Sequence, residues 1–227
     1  MLQNNFEYFV GTDQVPKWKR LLYFFLALAV LYFGHDIVNP WLRHLIRPFF
    51  AAFDTNQKLF FGHLLWFSLG GAFVTYLFIL VSVKLQIIKP VSFVRSPGHA
   101  VAYGFMGGGF ICAFMILLWI LTGRHFQLEI NWYSICGNLF SNFYEEVEYR
   151  ALLIPASLYL FRNKWAAFSI SAVIMAAAHY DYPLQLQVCV GTASFITAVI
   201  YFETGNLLAP WISHQLSDVV LDAILVL

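Results

Sequence analysis

Long runs of apolar residues restrict the fold of this chain more than any other feature. A helix needs about 20 predominantly apolar residues to cross the hydrocarbon core of a bilayer. Of the 227 residues, 60% are hydrophobic and 11% are charged, whereas a soluble domain has roughly 25% charged residues. Seven segments are predicted to be membrane-spanning helices: Arg20–Val38, Leu59–Val83, Ala100–Thr122, Trp132–Phe161, Trp165–Tyr180, Leu184–Phe202 and Leu207–Leu227.

Lipid offers no hydrogen bonds to an exposed backbone, so these segments are expected to be helical. The sequence therefore predicts an all-α protein, a polytopic transmembrane helical bundle of about seven spans, with a range of six to eight. The range comes from the linker Asn39–Lys58, in which apolar residues surround Arg43, His44 and Arg47. This linker could lie flat at the interface as an amphipathic helix, or it could be part of a larger segment.

The distribution of Lys and Arg predicts the orientation of the chain. With seven spans, eight of these residues lie on the side of the N-terminus and four on the other side. Because cytoplasmic loops are enriched in Lys and Arg, we expect a multi-pass integral membrane protein with a cytoplasmic N-terminus. If the linker crosses the membrane, the predicted orientation of every segment after it is reversed. The net charge of +1 gives no strong field that would attract nucleic acid.

The apolar segment Trp132–Phe161 holds four ionisable residues within six positions: Glu145, Glu146, Glu148 and Arg150. Each such residue at the centre of a bilayer costs about 2.5 to 3.5 kcal/mol, so the group needs partners or a function. Glu146 and Arg150 are four positions apart with the acid first, which is the favourable order for an ion pair on a helix. This pair leaves Glu145 without a local cation. Glu148 could reach the interface, pair with another helix or line a pocket.

Two other apolar segments carry ionisable residues that could meet Glu145. His179 ends the fifth segment after three alanines, which allow another helix to approach closely. His214 and Asp218 are four positions apart and therefore share one helix face. A carboxylate base, imidazoles that share its proton and donors for an oxyanion are the groups that activate water. Taken singly, His179 could equally be an interfacial residue, and His214 with Asp218 could be a structural hydrogen bond.

The remaining residues that can carry chemistry are expected to be structural. Three cysteines lie in or beside apolar runs without a CxxC pair, so we interpret them as small packing residues rather than a disulfide or metal site. Four histidines near the ends of predicted segments are interpreted as interfacial polar residues: His35, His63, His99 and His125.

Three motifs resemble, in order, those of the CPBP family of intramembrane proteases, the CAAX-protease and bacteriocin-processing family, also called the ABI family. EEVEYR, residues 145–150, fits the EExxxR motif of that family. His179 has the place of the histidine in the FxxxH motif, with Met175 where the family has Phe. TGNLLAPWISHQLSD resembles the third motif, a glycine-containing turn followed by HxxxN or HxxxD, with His214 and Asp218 at its polar positions.

The resemblance covers about residues 134–222 and implies a role for each matched residue. Glu145 would activate the attacking water, and His179 would assist it. Glu146 and Arg150 would hold the geometry of the helix.

The third motif would stabilise the oxyanion of the tetrahedral intermediate through His214 and Asp218. An ionised Asp repels an oxyanion, whereas the Asn found in related motifs donates a hydrogen bond. Asp218 could act in its protonated form, or it could orient and charge His214, which would then be the donor. We favour the second alternative.

The same residues raise the question of a metal. Two histidines and a glutamate could bind zinc with an open fourth position, although the chain has no HExxH motif. We predict no obligatory metal and no other cofactor.

These features predict an integral-membrane endopeptidase that uses glutamate-activated water to hydrolyse a peptide bond of a membrane-associated or lipidated peptide or protein. Its partners would be membrane lipid and that substrate. The alternatives are a non-catalytic immunity or scaffold protein of the same fold and a proton-coupled transporter, for which the expected inverted repeat is missing. Within one integrated domain, residues 1–131 would form the N-terminal transmembrane helices and interfacial linker, and residues 132–227 the catalytic helical core.

Overall fold

The computed structural model describes residues 9–10, 15–65, 71–89, 96–123 and 128–221. Within these ranges the structure is helical, and its strand-type pairing is limited to an isolated bridge between Val10 and Ile88. A π-helical segment, Val147–Leu153, joins α5 to α6. The α-helices are α1 Lys17–Phe50, α2 Thr55–Gly62, α3 Ala72–Lys84, α4 Pro97–Leu121, α5 Trp132–Glu146, α6 Ile154–Phe161, α7 Lys164–Ala178, α8 Leu184–Thr204 and α9 Leu208–Val220.

The described residues are helical, so the all-α prediction is confirmed for them. The helices overlap with the predicted segments without matching them one to one, since α2 and α3 both overlap the second segment and α5 and α6 both lie in the fourth. Among the described helices, α4 and α8 are the two that are long and apolar enough to cross a membrane. The count of about seven spans is not confirmed and stays a prediction. Two parts of the predicted segments lie outside the described residues: residues 66–70 of the second segment and residues 222–227 of the last.

Helix α1 includes the first part of the predicted linker. It continues through Pro40 and Pro48 as far as Phe50, so this part belongs to a larger segment and is not a separate interfacial helix. Its 34 residues correspond to a length of about 51 Å, which exceeds the roughly 30 Å of a hydrocarbon core. The chain then turns before α2 begins at Thr55.

The π-helical segment lies at the centre of the molecule. All seven of its residues are buried, and it contacts α1, α3 and α7. Leu152 and Leu153 belong to the largest cluster of buried apolar side chains. The charged residues of this segment are therefore surrounded by protein, which makes their hydrogen-bond partners decisive for stability.

Local sequence signals explain where the helices around the site begin and end. The side chain of Asn131 accepts hydrogen bonds from the first backbone N–H groups of α5, and Asn163 does the same for α7. Arg162 ends α6 in a left-handed conformation with φ of 55°, and Gly205 ends α8 with φ of 60°. These turns fix the directions in which α7 and α9 leave their neighbours.

Helix α9 is held against α4 by close backbone approach. A Cβ atom on Gly104 would lie 2.8 Å from Cβ of Ile212 and 3.0 Å from the carbonyl oxygen of Ala209, both on α9, so a larger residue would push the two helices apart. Ser213 donates a hydrogen bond of 2.8 Å to the carbonyl of Gly104. This contact positions α9, and with it the two polar residues of the third motif.

Candidate active site

The structure brings the four predicted catalytic residues to one cavity of about 170 Å³. Glu145 lies in the last turn of α5, His179 directly follows α7, and His214 and Asp218 lie on α9. The side chains of Glu145 and Asp218 are each 23% exposed, and that of His214 is 14% exposed. Since a water molecule occupies about 30 Å³ in the liquid, the cavity has room for several.

Glu146 and Arg150 form a buried ion pair beside this cavity. Nε of Arg150 lies 2.9 Å from Oε2 of Glu146, as a close ion contact rather than an aligned hydrogen bond. The guanidinium also donates to Ser171 on α7 and to Ser194 and Thr197 on α8. The two side chains are 1% and 0% exposed. Arg150 thus joins α7 and α8 to the end of α5. This position suits the predicted role of Arg150 in holding the geometry of the helix.

His214 is held by the same buried glutamate. Its Nδ1 lies 2.9 Å from Oε1 of Glu146, and because a carboxylate accepts, Nδ1 donates. Its Nε2 lies 3.8 Å from Glu145 and 3.8 Å from Asp218. Both separations exceed a direct hydrogen bond and suit a bridging water.

Glu146, rather than Asp218, makes the direct hydrogen bond to His214, and the expected role of Asp218 in orienting and charging the ring stays a prediction. Asp218 lies one turn further along α9 and approaches only Nε2, at 3.8 Å. Glu146, on a different helix, reaches Nδ1 and sets the orientation of the ring.

His179 is oriented by its own helix. It follows the last residue of α7, and its Nδ1 lies 2.9 Å from the backbone carbonyl of Met175. A carbonyl can only accept, so Nδ1 carries a proton and Nε2 is the nitrogen that can exchange one with the cavity. The ring packs against Tyr182 with the ring centroids 5.1 Å apart. Because Met175 contributes its backbone carbonyl, its departure from the family's Phe leaves this hydrogen bond intact.

The comparison with known families agrees with this geometry. Residues 127–220 match the family model described as type II CAAX prenyl endopeptidase Rce1-like. This stretch therefore resembles the Rce1-like family. The predicted resemblance to the CPBP family is thus confirmed, and all six matched motif residues lie inside the Rce1-like region, residues 127–220. No curated protein and no solved structure matches the chain.

The Rce1-like family is a family of membrane-integral proteases, which supports a peptidase at the level of the family. Two helices of this chain, α4 and α8, could span a membrane. The catalytic roles of the individual residues and the cytoplasmic N-terminus stay predictions.

Glu148 does not line the cavity, although the sequence allowed it to. Its Oε1 accepts hydrogen bonds from the hydroxyls of Tyr144 and of Thr75, which lies on α3. The winding changes at Val147 from α to π, and the wider π turn places more residues in each turn. Positions 145 and 148 therefore diverge more than in a regular α-helix, and Glu148 faces the N-terminal helices.

One face of α5 supplies polar residues that sequence reasoning missed. Asn138, Ser141, Asn142 and Glu145 are spaced i, i+3, i+4 and i+7, and all four line the cavity. Asn142 donates to the side chain of Gln215 on α9 across a distance of 3.0 Å. The helical spacing of these residues was a signal that could have identified this face.

His63 was interpreted as an interfacial residue, and this interpretation is wrong. The imidazole lines the cavity, and its Nδ1 lies 3.0 Å from Oγ of Ser141. The position of a histidine near a helix end carries no information about the packing of α2 against α5, which places it here. His99 is exposed as expected, whereas the side chain of His35 and the whole of His125 lie outside the described residues.

The described residues contain no group of three or more His, Cys, Asp or Glu side chains arranged to hold a metal ion. Nε2 of His214 lies 3.8 Å from Glu145, a ligand-to-ligand separation that does not exclude a shared zinc ion with bonds of about 2.0 to 2.2 Å, so the expectation of no obligatory metal stays a prediction. The three cysteines are unpaired, and Cys189 is buried as a packing residue. Cys136 is exposed, so the packing interpretation is wrong for this residue.

Proposed function

We propose that the chain is an integral-membrane endopeptidase that hydrolyses a peptide bond with water activated by Glu145. The observation that carries the proposal is the single cavity at which Glu145, His179, His214 and Asp218 meet. Carboxylate, imidazoles and water-sized space are the requirements of a general-base hydrolysis. The match of residues 127–220 to the Rce1-like family, which is a family of proteases, supports a peptidase function.

In the proposed reaction, Glu145 removes a proton from a water in the cavity, and the water oxygen attacks the carbonyl carbon of the scissile bond. His179 shares that proton through Nε2, since Nδ1 is engaged with Met175. The carbon–nitrogen bond then breaks, and the proton passes to the leaving nitrogen. The second proton of the water remains on the new carboxylic acid and then passes to the amine, so the products are a carboxylate and an ammonium group, and atoms and charge balance.

His214 is the proposed donor to the oxyanion. As an imidazolium it donates through Nδ1 to Glu146 and through Nε2 toward the cavity. A donor fixed in advance by a buried partner costs little reorganisation during the reaction, and such donors supply about 10²- to 10³-fold in kcat. Glu146 and Arg150 are proposed to hold this ring and the end of α5 in place.

The proposed substrate is a lipidated or membrane-associated peptide or protein. The family description names prenyl endopeptidases, and a lipid-modified peptide would reach the cavity from the bilayer. The proposal includes a multi-pass arrangement of about seven spans with a cytoplasmic N-terminus. It also retains residues 132–227 as the catalytic core within one integrated domain.

Glu145→Gln tests the proposal because it keeps the shape of the side chain and removes the base. The purified protein in lipid nanodiscs would be given a fluorogenic peptide with a prenylated cysteine near its C-terminus. We expect kcat to fall by about 10²- to 10⁴-fold, the contribution of a general base. Glu129→Gln is the matched control, since Glu129 is exposed ahead of α5.

The outcomes separate the alternatives. Cleavage by Glu145→Gln at the parent rate would show that this carboxylate is not the base. A parent protein that binds such peptides but leaves them intact would support the non-catalytic immunity or scaffold alternative.

A further inference from the structure

Asn142 is a buried amide at the cavity that the proposed reaction does not use. The residue is 2% exposed, and it lines the cavity together with Glu145, which lies three positions further along α5. Residues at this spacing share one helix face, with their Cβ atoms about 5 to 6 Å apart. A neutral hydrogen-bonding group therefore lies one helical turn from the proposed general base.

The orientation of this amide is fixed by a short chain of hydrogen bonds to α9. Nε2 of Gln215 donates to the backbone carbonyl of Ile135 at 3.0 Å. Because a carbonyl can only accept, the other polar atom of the Gln215 amide is its oxygen, and that oxygen accepts from Nδ2 of Asn142 at 3.0 Å. An amide nitrogen carries two hydrogens, of which Gln215 takes one. The second N–H of Asn142 is available to another acceptor.

A second hydrogen bond of the same kind fixes the register of α9 against α5. Nε1 of Trp211 donates to the backbone carbonyl of Leu139 at 3.0 Å. Trp211 and Gln215 are four positions apart on α9, and their acceptors are four positions apart on α5 in the reverse order. The two helices therefore run antiparallel along this contact. This register brings His214, the neighbour of Gln215, to the same cavity as the buried amide.

The two carboxylates at the cavity make a neutral donor valuable there. Glu145 and Asp218 both line the cavity, and ionised carboxylates repel an oxyanion. Oδ1 of Asp218 lies only 3.8 Å from Nε2 of His214, the donor already proposed. An amide N–H adds a donor without adding charge, and a buried donor interacts with an anion more strongly than one in water.

We propose that Asn142 is a second oxyanion donor, whose remaining N–H hydrogen bonds to the tetrahedral intermediate beside Nε2 of His214. This inference rests on the proposed peptidase function. It places a donor on α5, outside the three motifs, and it accounts for an Asp at position 218, where related motifs also have Asn.

Asn142→Leu and Gln215→Met test the proposal as a pair, because both remove the hydrogen bond between the two amides and only the first removes the donor. With the prenylated peptide in nanodiscs, we expect Asn142→Leu to lower kcat by about 10²- to 10³-fold, the contribution of one oxyanion donor, and to change KM by less than about threefold. Gln215→Met should lower kcat by less than about tenfold, since the donor is kept and only its orientation is loosened. Asn142→Ser, which is smaller and polar, is the second variant and should show the same loss as Asn142→Leu, because its hydroxyl ends short of the position of the amide.

The Asp218→Asn background distinguishes a donor from a packing residue. This substitution puts an amide beside Nε2 of His214, where Asp218 now lies at 3.8 Å. The loss caused by Asn142→Leu should therefore be about tenfold smaller in that background, as for two residues that serve one interaction. A residue that acts only through packing would cause the same loss in both backgrounds.

Binding of substrate analogues gives a readout that needs no turnover. A peptide with a phosphinate in place of the scissile amide has a tetrahedral centre with anionic oxygens, whereas a reduced-amide peptide has no oxygen at that position. Asn142→Leu should weaken binding of the phosphinate by about 10²-fold or more and change the affinity for the reduced amide by less than about twofold, since a transition-state donor acts on the tetrahedral anion alone.

The results separate the two proposals. Equal losses of kcat in Asn142→Leu and Gln215→Met, a loss confined to KM, or the same loss in both backgrounds would overturn the role of Asn142 and leave the peptidase function standing. A parent protein that cleaves no peptide contradicts the proposed function, and the phosphinate measurement then decides by itself whether Asn142 is an anion donor.

Discussion

Glu145 and Glu146 are adjacent in sequence, yet the structure gives them opposite surroundings. Glu145 is 23% exposed at the cavity, whereas Glu146 is 0% exposed between Arg150 and His214. With 3.6 residues per turn, neighbouring residues on a helix point about 100° apart. One helix end can therefore supply a carboxylate to the cavity and another to the protein interior. The proposed general base, Glu145, and the buried residue that supports the site, Glu146, are therefore adjacent in sequence.

The two environments predict different consequences of mutation. The carboxylate of Glu146 is matched by a cation whose remaining donors reach two other helices. Loss of a member of that network leaves a buried charge unpaired, which is costly. The carboxylate of Glu145 meets a water-sized space, so its loss is expected to affect activity with little effect on folding.

Removal of the buried cation is expected to have the largest effect on stability. Arg150→Met leaves Glu146 charged and buried, so the free energy of unfolding should fall by about 3 to 5 kcal/mol. Glu145→Gln should change it by less than about 1 kcal/mol, as is usual where no buried partner is lost. Unfolding by SDS in mixed micelles measures both. Similar losses in the two variants would remove the distinction between the neighbouring glutamates.

The double variant Glu146→Gln with Arg150→Met serves as the control for that interpretation. Removing both members of a buried pair avoids the unpaired charge, so the double variant should be more stable than Arg150→Met alone. A loss equal to the sum of the single effects would mean that the two residues do not act as a pair.

A smaller effect is expected where the network ends on α8. Thr197 accepts a hydrogen bond from Nη2 of Arg150, and both side chains are buried. Thr197→Val keeps the shape and leaves a donor unsatisfied, so the free energy of unfolding should fall by about 1 to 3 kcal/mol. Thr192→Val, on the same helix and facing an outer groove, is the matched control and should change little. Equal changes would show that the hydroxyl of Thr197 does not support the arginine.

The sequence could predict much of the site because its motifs are local. The i,i+4 spacings place Glu146 beside Arg150, and His214 on one face of its helix with Asp218, whatever the rest of the molecule does. The turns at Arg162 and Gly205 were likewise readable, because left-handed positions and Asn caps follow local chemistry.

Contacts between distant segments could not be predicted in this way. The hydrogen bond from His214 to Glu146 joins residues 68 positions apart, and that of His63 to Ser141 joins residues 78 apart. Both depend on how helices pack, which no spacing encodes. The π winding from Val147 to Leu153 also has no local pattern of its own, and it is what rotates Glu148 away from the cavity.

Glu148 extends the comparison to a third carboxylate on the same segment. It is buried, and among the described residues its partners are the hydroxyls of Tyr144 and Thr75 rather than a cation. Glu148→Gln keeps an acceptor oxygen at that position, so the free energy of unfolding should change by less than about 1 kcal/mol, in line with the net value of a retained hydrogen bond. Glu148→Leu removes the acceptor and should be more destabilising. A large loss in Glu148→Gln, measured by SDS unfolding, would show that the ionised carboxylate is needed.

The smallest expected effect concerns metal, and it sharpens the role of Glu145. As a general base, Glu145 must accept a proton from a water molecule. As a zinc ligand, its carboxylate oxygen would have to lie about 2.0 to 2.2 Å from a zinc ion that nearby imidazole nitrogens also bind. The separation of 3.8 Å between Nε2 of His214 and Glu145 allows a bridging water and does not exclude a shared zinc ion, so experiment has to decide. If Glu145 is the base, we expect incubation with a chelator, followed by its removal, to leave the cleavage rate unchanged within about twofold, and added zinc to give no increase. Loss of activity with the chelator and recovery with zinc, but not with magnesium, would show that Glu145 is a metal ligand. Glu145 would then differ from Glu146 by binding a metal ion rather than by accepting a proton from water.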